Sequence, residues 1–323
     1  SRALEAQGVE MTYMGESYLS PTVLSSFVKV FRQERADVVQ LHGWIAANYG
    51  RIAGRLTGIP TIMHEHGVDP QFPTSQRIAD RLLSGCTHTA LAVSKSVYSF
   101  LISHRSVPEE KIRLIYNGAP LREFAPVSRE ETEQAREELG IPTGRRVIGA
   151  VGRLDTQKGL TFLLKATREV LRTMPDVHLV VVGDGPKMEE LRAEADSLGI
   201  APNVTFTGHR TDVQTLQSFF DLQAFPSLWE GTPLTVFEAM AMGLPIVSTD
   251  VDGLGEVLVD GKSACVVKPA DVGELAKGMI RVLSDEETAL RLRAGAVTAS
   301  RDYDIQQTVR RMEALYEECC AGR

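Results

Sequence analysis

The sequence predicts an α/β protein built from two doubly wound parallel sheets, each covered by helices on both faces. Nearly continuous apolar runs such as VIGAVG (147–152) and VHLVVVG (177–183) alternate with amphipathic stretches such as LTFLLKATREVLRTM (160–174). The strands of a parallel sheet are buried on both faces, so they read as apolar runs separated by helices. The length of 323 residues fits two such units, because a domain averages about 150 residues.

The second half of the chain carries the clearer alternation. Its predicted strands are VIGAVG (147–152), VHLVVVG (177–183), VTFTG (204–208), LQAFPS (222–227), PIVST (245–249) and CVV (265–267). Predicted helices separate or follow these strands at 160–174, 186–198, 211–219, 233–242, 270–283, 286–299 and 305–320. We therefore expect one complete doubly wound unit in this half.

The first half shows the same alternation in shorter runs. Its predicted strands are VEMTYM (9–14), DVVQLHG (37–43), PTIMHEHG (60–67), TALAVS (89–94) and KIRLIYNG (111–118). The polar segment LREFAPVSRE (121–130) contains a proline and is predicted to be the linker. The expected units are therefore a first domain over 1–125, a second domain over 126–304, and a C-terminal helix over 305–323 that returns to the first domain.

Composition and charge argue against several classes of protein. The 35 basic and 42 acidic residues give a net charge of −7, whereas a dedicated nucleic-acid binder usually has a basic excess. None of the four cysteines stands in a C-x-x-C spacing, so neither a zinc site nor a disulfide framework is predicted, and a reducing compartment is indicated. No apolar run approaches the roughly 18–20 residues of a membrane span, and the first residues lack a signal-peptide pattern. We expect a cytoplasmic location, with peripheral contact to the inner face of the membrane left open.

The densest motif runs from Pro226 to Gly243, PSLWEGTPLTVFEAMAMG. A strand ends before it and a helix begins inside it, with Thr232 as the expected N-cap and Pro233 at the first helical position. The N–H groups of Leu234 and Thr235 then face the carboxyl edge of the sheet. Open α/β folds bind ligands at that edge, and helix N-termini favour anions. The motif therefore predicts a phosphate site.

Two carboxylates of this motif stand eight residues apart, at Glu230 and Glu238. At a rise of about 1.5 Å per residue, Glu238 lies roughly 6–8 Å from the N–H groups that open the helix. A phosphate bound there would bring a neighbouring sugar hydroxyl within reach of either carboxylate. The alternative is a solvated loop charge at Glu230 and a helix-surface residue at Glu238.

A second motif, VGRLDTQKG (151–159), places two cations at the same edge of the sheet. Arg153 follows the strand and Lys158 opens the next helix. A planar guanidinium and a compact ammonium together suit a diphosphate and stabilise it as a leaving group. The alternative is a pair of solvated surface cations.

A third motif, VVGDGP (181–186), is predicted to form a tight turn from strand to helix through Gly183, Asp184, Gly185 and Pro186. Glycines are frequent wherever a chain reverses, so a simple turn is the alternative.

Histidines end two predicted strands of the first half, at His42 and at the pair His64 and His66. The residue pair 64/66 is compatible with a metal, but no third ligand at useful spacing accompanies it, and a metal site is not predicted. A hydrogen-bonding or electrostatic role facing the cleft is expected, with structural histidines as the alternative.

Taken together, these motifs resemble the family-4 retaining glycosyltransferases, whose GT-B fold places two Rossmann-like domains around a cleft. The resemblance covers essentially the whole chain and is strongest from Val147 to Pro269, where it also includes VSTDVDGLGEVLVDG (247–261). The chain departs from the family at Asp252-Gly253, where the family usually has Gly-Gly, and at Ala264, where it has glycine. The family's opening strand and glycine-rich loop have no counterpart, so a first domain short of one or two βα units is expected.

The resemblance implies a role for each matching residue. Arg153 and Lys158 would bind the donor diphosphate, and Glu238 would bind the ribose hydroxyls. Glu230 and His66 would lie near the reacting sugar. The residues implied in catalysis are Glu230, His66, Arg153 and Lys158, and those implied in donor binding are Arg153, Lys158, Gly183, Asp184, Gly185, Pro186, Glu230, Gly231, Thr232, Pro233, Leu234, Thr235 and Glu238.

The implied reaction is transfer of a hexosyl group from a nucleotide-diphosphate sugar to a sugar or lipid-linked acceptor, with retention of configuration. No metal or other cofactor is expected, because no Asp-x-Asp motif stands in a suitable context. The alternatives are a catalytically silent nucleotide-sugar-binding subunit and a nucleotide-sugar epimerase of the same fold. A dinucleotide-dependent oxidoreductase is disfavoured, because no complete G-x-G-x-x-G follows a strand with an acidic residue about 20 positions later.

Overall fold

The computed structural model describes residues 5, 7–13, 22–124 and 127–321. Their strands are β1 (Val39–His42), β2 (Thr61–Glu65), β3 (Thr89–Ala92), β4 (Ile112–Leu114), β5 (Arg146–Val151), β6 (Val177–Val182), β7 (Val204–Gly208), β8 (Leu222–Phe225), β9 (Ile246–Thr249) and β10 (Cys265–Val267). A four-stranded sheet has the order β1-β2-β3-β4, and a six-stranded sheet has the order β10-β9-β8-β5-β6-β7.

The helices of the described ranges alternate with these strands and then close the chain. They are α1 (Val23–Gln33), α2 (Trp44–Thr57), α3 (Thr74–Leu83), α4 (Lys95–Ser103), α5 (Arg129–Glu138), α6 (Leu160–Thr173), α7 (Met188–Ser197), α8 (Val213–Gln217), α9 (Leu234–Ala241), α10 (Asp252–Val257), α11 (Val272–Ser284), α12 (Glu286–Ser300) and α13 (Ile305–Ala321). None of them combines the length and the apolar content that a membrane span requires.

The predicted fold class is confirmed, because the paired strands in both sheets run parallel. Every residue of β6 is buried, as expected for a central strand with helices on both faces. In the second sheet β5 lies between β6 and β8. The chain adds β6 and β7 on one side of β5, and then β8, β9 and β10 on the other side. Such a switch point opens a crevice at the carboxyl ends of the strands.

One predicted strand is wrong over its described residues. The segment 9–13 has no strand conformation, and Val9 and Tyr13 are 45% and 67% exposed. A strand needs a neighbouring strand to satisfy its N–H and C=O groups, and the first sheet ends at β1 in the described part of the chain. Alternation of apolar residues alone therefore did not make a strand here. Residue 14 lies outside the described residues.

The predicted linker contains a short 3-10 turn at Leu121–Glu123, and α5 begins a few residues later. Ser128 starts α5 with a capping box, in which its hydroxyl accepts from the Glu131 N–H and the Glu131 carboxylate accepts from the Ser128 N–H. The predicted domain boundary at 125–126 lies outside the described residues.

The last helix, α13, packs against the first sheet. Its Leu315 and Cys319 form an apolar cluster with Ile62, Leu91 and Ile115. The start of this helix is held near the end of β4, where the N–H of Ile305 donates to the carbonyl of Ala119 at 2.9 Å.

A buried ionic network holds the helices of the first domain to its sheet. Asp80 on α3 contacts Arg51 on α2 at 2.5 Å and Arg105 after α4 at 2.5 Å, and Arg105 also pairs with Glu65 at the end of β2. Arg51 and Asp80 are fully buried. Burial lowers the pKa of Arg51 and raises that of Glu65, and their ionic partners offset part of each effect.

Candidate active site

The loops that follow β5, β6 and β8 meet at the switch point of the second sheet. The ends of β5 and β8 and the loops that follow them line a small cleft, whose walls include Gly152, Arg153, Lys158 and Ser227. All of the second-domain segments predicted to bind the donor follow or border these strands. The prediction that they share one edge agrees with their positions in the fold.

The turn after β6 packs directly on the loop after β5. A Cβ on Gly183, which has a φ of +133°, would lie 1.9 Å from the carbonyl oxygen of Gly152, and a Cβ on Gly185 would lie 2.4 Å from that of Leu154. The carbonyl of Asp184 accepts the N–H of Leu154 at 2.9 Å. These two glycines are therefore required by close backbone packing, in addition to the reversal of the chain.

The two predicted functional groups Lys158 and Glu230 form an ion pair. The Lys158 Nζ lies 2.5 Å from the Glu230 Oε1, although 72 positions separate them in the chain. Glu230 is only 4% exposed and also accepts from the Ser227 hydroxyl at 2.8 Å and from the Gln157 amide at 3.1 Å. The alternative of a solvated loop charge at Glu230 is thereby excluded.

Arg153 stands apart from this pair. Its side chain is 72% exposed, and its contact with Asp155 is 3.8 Å long. Lys158 ends a short 3-10 turn that the Asp155 side chain caps, and α6 begins two residues later. The two predicted cations therefore lie on one loop, with Lys158 inside the cleft and Arg153 at its rim.

The predicted cap of α9 is wrong. The helix begins at Leu234, Pro233 is its N-cap in extended conformation, and no side chain of the residues described caps it. Thr232 is buried, and its hydroxyl instead donates to the carbonyl of Val93 in the first domain at 3.1 Å. The N–H groups of Leu234 and Thr235 belong to the first turn of α9, whose donors have no acceptor inside the helix.

Glu238 lies in the second turn of α9. It is half-buried, and burial raises the pKa of its carboxyl group. Leu234, one turn earlier, is 51% exposed at the mouth of the helix. The role of Glu238 as a ligand for ribose hydroxyls stays a prediction.

The loop that carries Glu230 also touches the first domain. A Cβ on Gly231 would lie 2.0 Å from the carbonyl oxygen of His66. The Asn117 amide donates to the carbonyl of Thr232 at 3.1 Å. Behind the loop, the Glu230 N–H donates to the Asp252 carboxylate at 3.1 Å, and Gly253 packs on the carbonyl of Gly231. The departure from the family pattern at Asp252 thus supports the glutamate loop.

A second contact between the domains centres on Glu256 of α10, a residue whose role the sequence reasoning missed. Its carboxylate accepts from the N–H groups of Lys95 and Ser96, at 2.8 and 2.9 Å, and so binds the N-terminus of α4. It also accepts from the hydroxyls of Ser96 and Tyr116, at 2.9 and 2.7 Å. Burial acts to raise the pKa of Glu256, but these hydrogen bonds outweigh it and the pKa is lowered.

Three histidines of the first domain converge at the carboxyl end of its sheet. The expectation that His64 and His66 have no third ligand is wrong. Strand β1 pairs in register with β2, which brings His42 opposite His64. One nitrogen from each ring lies within 4.8 Å of the others. Burial and the neighbouring imidazoles lower the pKa of His64 to about 3. Burial is also the main reason that the pKa values of His42 and His66 are lowered, so all three rings are neutral near pH 7.

Substitution of Gly231 by alanine is expected to destabilise the protein by about 1–3 kcal/mol, the usual cost of overpacking. The new methyl group would meet the backbone of His66, which cannot rotate away as a side chain could. Thermal unfolding measures the effect. The matched control is Gly85→Ala, where a Cβ meets nothing within 4 Å. Equal melting temperatures for the two variants would contradict this contact between the domains.

Two facing parallel-sheet domains with a crevice at the switch point, together with the family-model matches, define a glycosyltransferase of the GT-B type, a class that takes a sugar from a nucleotide-sugar donor. The chain belongs to the family described as Glycosyl transferases group 1, whose family model matches residues 131–298. The model described as Glycosyltransferase Family 4 matches residues 2–123. The predicted family is therefore confirmed.

Curated relatives match over most of their length. A UDP-Gal:alpha-D-GlcNAc-diphosphoundecaprenol alpha-1,3-galactosyltransferase of Escherichia coli is 26% identical over 305 residues, which covers 91% of this chain and 78% of the relative. A D-inositol 3-phosphate glycosyltransferase of Corynebacterium jeikeium is 28% identical over 324 residues, which covers 92% of this chain and 77% of the relative.

Solved structures show the same fold. A glycosyltransferase from Rickettsia africae superposes with a TM-score of 0.86 at 19% identity, over 98% of this chain and 87% of that one. The HepE protein of Anabaena, crystallised with UDP and glucose, also gives a TM-score of 0.86, at 22% identity, over 98% of this chain and 88% of that one.

Proposed function

We propose that this glycosyltransferase moves a hexosyl group from a nucleoside-diphosphate sugar to a saccharide or lipid-linked acceptor with retention of configuration. The observation that carries the proposal is the Lys158–Glu230 ion pair, in which the buried carboxylate of Glu230, four residues before α9, contacts a lysine of the cleft wall. The names of the relatives support the choice of substrates, since one uses a UDP-sugar with a diphospholipid acceptor and HepE was crystallised with UDP and glucose.

The donor diphosphate is proposed to bind between Lys158 and the N–H groups of Leu234 and Thr235. A cation and the donors of a helix N-terminus both stabilise the negative charge that develops on the departing diphosphate. Arg153 is exposed at the rim and joins these groups when the donor is bound.

The nucleoside is proposed to lie between α9 and the turn after β6. Glu238 accepts hydrogen bonds from the ribose hydroxyls, and the turn of Gly183, Asp184, Gly185 and Pro186 borders the base. Gly231 and Thr232 hold the glutamate loop between this site and the first domain, and Pro233 precedes the first turn of α9 at the diphosphate site.

The sugar is proposed to lie between Glu230 and His66, and no covalent bond to the protein is assigned. The C1–O bond to the diphosphate breaks, leaving an oxocarbenium-like sugar. The acceptor hydroxyl then bonds to C1 on the face that the diphosphate left, and its proton passes to a diphosphate oxygen. Glu230 accepts from Lys158, Ser227 and Gln157, which leaves it engaged as a charge partner and favours this route over nucleophilic attack.

No metal or other cofactor has a step in this mechanism, and this remains part of the proposal. We also propose a cytoplasmic location, with contact to the inner face of the membrane where the acceptor is a lipid. The four free cysteines support a reducing compartment.

The test is to offer the purified chain a panel of UDP-, GDP- and ADP-sugars with saccharide and lipid-linked acceptors, and to measure release of the nucleoside diphosphate. The anomeric configuration of the product, read by NMR, tests retention. A product formed without any acceptor would favour the epimerase. Tight nucleotide binding without turnover for any acceptor would favour the silent subunit.

Substitution of Glu238 by alanine is expected to raise the dissociation constant of the donor nucleotide by about 10- to 100-fold, because a hydrogen bond to a charged group contributes about 1.5–3 kcal/mol. Titration calorimetry with the nucleoside diphosphate measures it. The matched control is Glu313→Ala on α13, where the side chain is exposed. Equal affinities for both variants would remove Glu238 from the donor site.

A further inference from the structure

The three histidines at the end of the first sheet share one face for a reason set by strand geometry. Alternate residues along an extended chain point to the same side, so His64 and His66 share a face, and parallel register places His42 beside His64. The ring centroids of His64 and His66 are 4.0 Å apart, and that of His42 lies 4.9 and 5.1 Å from them. Such a cluster is typical of a metal-binding donor set.

His64 has a nitrogen without a partner. Its Nε2 is buried and makes no hydrogen bond within the part of the chain that is described, which costs free energy unless a ligand satisfies it. Its other nitrogen, Nδ1, lies 2.5 Å from the side-chain amide of Gln40. The Gln40 amide in turn bonds to the hydroxyl of Tyr316 from α13.

Gln40 lies behind His64 and can orient its ring through the second ring nitrogen. With the amide turned so that its oxygen accepts from the Nδ1–H of His64, the lone pair of Nε2 becomes free for a metal. The Tyr316 hydroxyl can donate to the amide oxygen or accept from the amide nitrogen, so it can hydrogen-bond to either orientation. Histidines that bind metals are usually held in this way, through a hydrogen bond from the second ring nitrogen.

The ligand atoms of the three histidines all lie within 4.8 Å of one another, and zinc binding requires the rings to adjust. The Nδ1 of His42 and the Nε2 of His66 are 2.8 Å apart. A tetrahedral ion with bonds of about 2.0–2.1 Å needs its ligands roughly 3.3 Å apart, so these rings must separate by about half an ångström. Both side chains are exposed, which permits that movement and gives an ion a path from the cleft.

We propose that His42, His64 and His66 bind one divalent transition-metal ion of the Zn²⁺ type, with Gln40 as a positioning residue, and that the bound ion inhibits sugar transfer. Three imidazoles with an open fourth position are a donor set that Zn²⁺ accepts. The inhibition rests on the proposed function, because it follows from engaging His66, which is proposed to lie beside the sugar. The binding itself does not depend on that function.

The first experiment is calorimetric titration of the chelator-treated protein with Zn²⁺. We expect one ion per chain in the wild type and in His209→Ala, where an exposed imidazole of the second domain serves as the matched control. We expect saturable binding to be lost in His42→Ala, a change at an exposed side chain, and in His64→Ala. Wild-type binding in His42→Ala, or loss of binding in His209→Ala, would mean adventitious binding only and would overturn the site.

Two further measurements separate coordination from a structural effect. Co²⁺ bound to the wild type is expected to show the visible absorption of a four-coordinate ion, and His42→Ala is expected to lack it. Gln40→Leu is expected to weaken Zn²⁺ binding by about 10- to 100-fold. Gln40→Glu keeps an acceptor for the His64 N–H and is expected to retain the affinity. If Leu and Glu at this position weaken binding equally, Gln40 is not a positioning residue.

The inhibition is tested by nucleoside-diphosphate release with and without Zn²⁺. Transfer by the wild type is expected to stop at one equivalent of ion and to recover with chelator, while the rate of His42→Ala, compared with its own metal-free rate, is expected not to change when the ion is added. Inhibition of both proteins alike would overturn the inhibitory role. If no donor supports transfer at all, the proposed function and the inhibition fail together, and the titration still decides the metal site.

Discussion

Substitution of Asp80 by alanine is expected to cost the first domain about 3–5 kcal/mol of stability, the usual effect of removing one member of a buried ion pair. Asp80 is the carboxylate shared by Arg51 and Arg105. Without it, Arg105 keeps Glu65 as a partner. Among the described residues, Arg51 then keeps neutral acceptors only, the carbonyl of Ala47 and the side chains of Asn48 and Thr87. A fully buried guanidinium then has no counter-charge in the part of the chain that the structure describes.

The two tryptophans make this measurable in one domain. Trp44 opens α2 in the first domain, and Trp229 lies in the glutamate loop of the second. In a Trp229→Phe background, the fluorescence of Trp44 reports unfolding of the first domain in urea. The Asp80→Ala variant is expected to unfold at a much lower urea concentration than its parent.

Two further variants test whether the loss of stability is electrostatic. Asp80→Asn keeps the size and most of the hydrogen bonds but removes the charge, so a large part of the loss is expected to persist. Glu65→Gln is expected to cost less, because Glu65 is 21% exposed and Asp80 still balances Arg105. A urea midpoint unchanged by Asp80→Ala would show that the network is dispensable.

Substitution of Lys158 by methionine is expected to lower kcat by about 10²- to 10³-fold, the loss seen when one stabiliser of transition-state charge is removed. Methionine retains the aliphatic length of the side chain. The change removes the cation that faces the departing diphosphate and leaves the buried carboxylate of Glu230 without its ionic partner. Initial rates of nucleoside-diphosphate release at saturating donor measure kcat separately from KM.

The matched control is Lys165→Met on α6, where the side chain is 46% exposed and pairs with Glu194 at 3.4 Å. That variant is expected to turn over as the wild type does. Because Arg153 joins Lys158 at the diphosphate in the proposed mechanism, the double variant Arg153→Ala/Lys158→Ala is expected to lose donor binding as well. A Lys158→Met enzyme with an unchanged kcat would remove Lys158 from the mechanism.

Much of the fold was predictable because parallel strands have a strong signature. The run Val177–Val182 is buried on both faces and is apolar except at His178, whereas the alternating segment 9–13 is not a strand. A continuous apolar run depends on residues next to each other in the chain. An alternating segment also needs a neighbouring strand to pair with, which a local pattern cannot supply.

The location of the site was predictable, because the motifs that carry functional residues follow strands that end at one edge of the sheet. Motifs after β5, β6 and β8 had to meet, because parallel strands end at the same edge. The cap of α9 was not predictable in the same way. Thr232 is a good N-cap by type, but its hydroxyl bonds to Val93, a residue 139 positions earlier in the chain.

By itself, the sequence determined that this chain has two parallel-sheet α/β domains, and it identified the residues of the family's donor motifs. Local apolar periodicity and short loop motifs carry that information. Only the tertiary structure decided that Lys158 contacts Glu230 and that Glu256 holds α4, because these contacts join segments 72 and about 160 positions apart. It also decided the convergence of His42 with His64 and His66, since the register between two parallel strands is set by packing of the whole sheet.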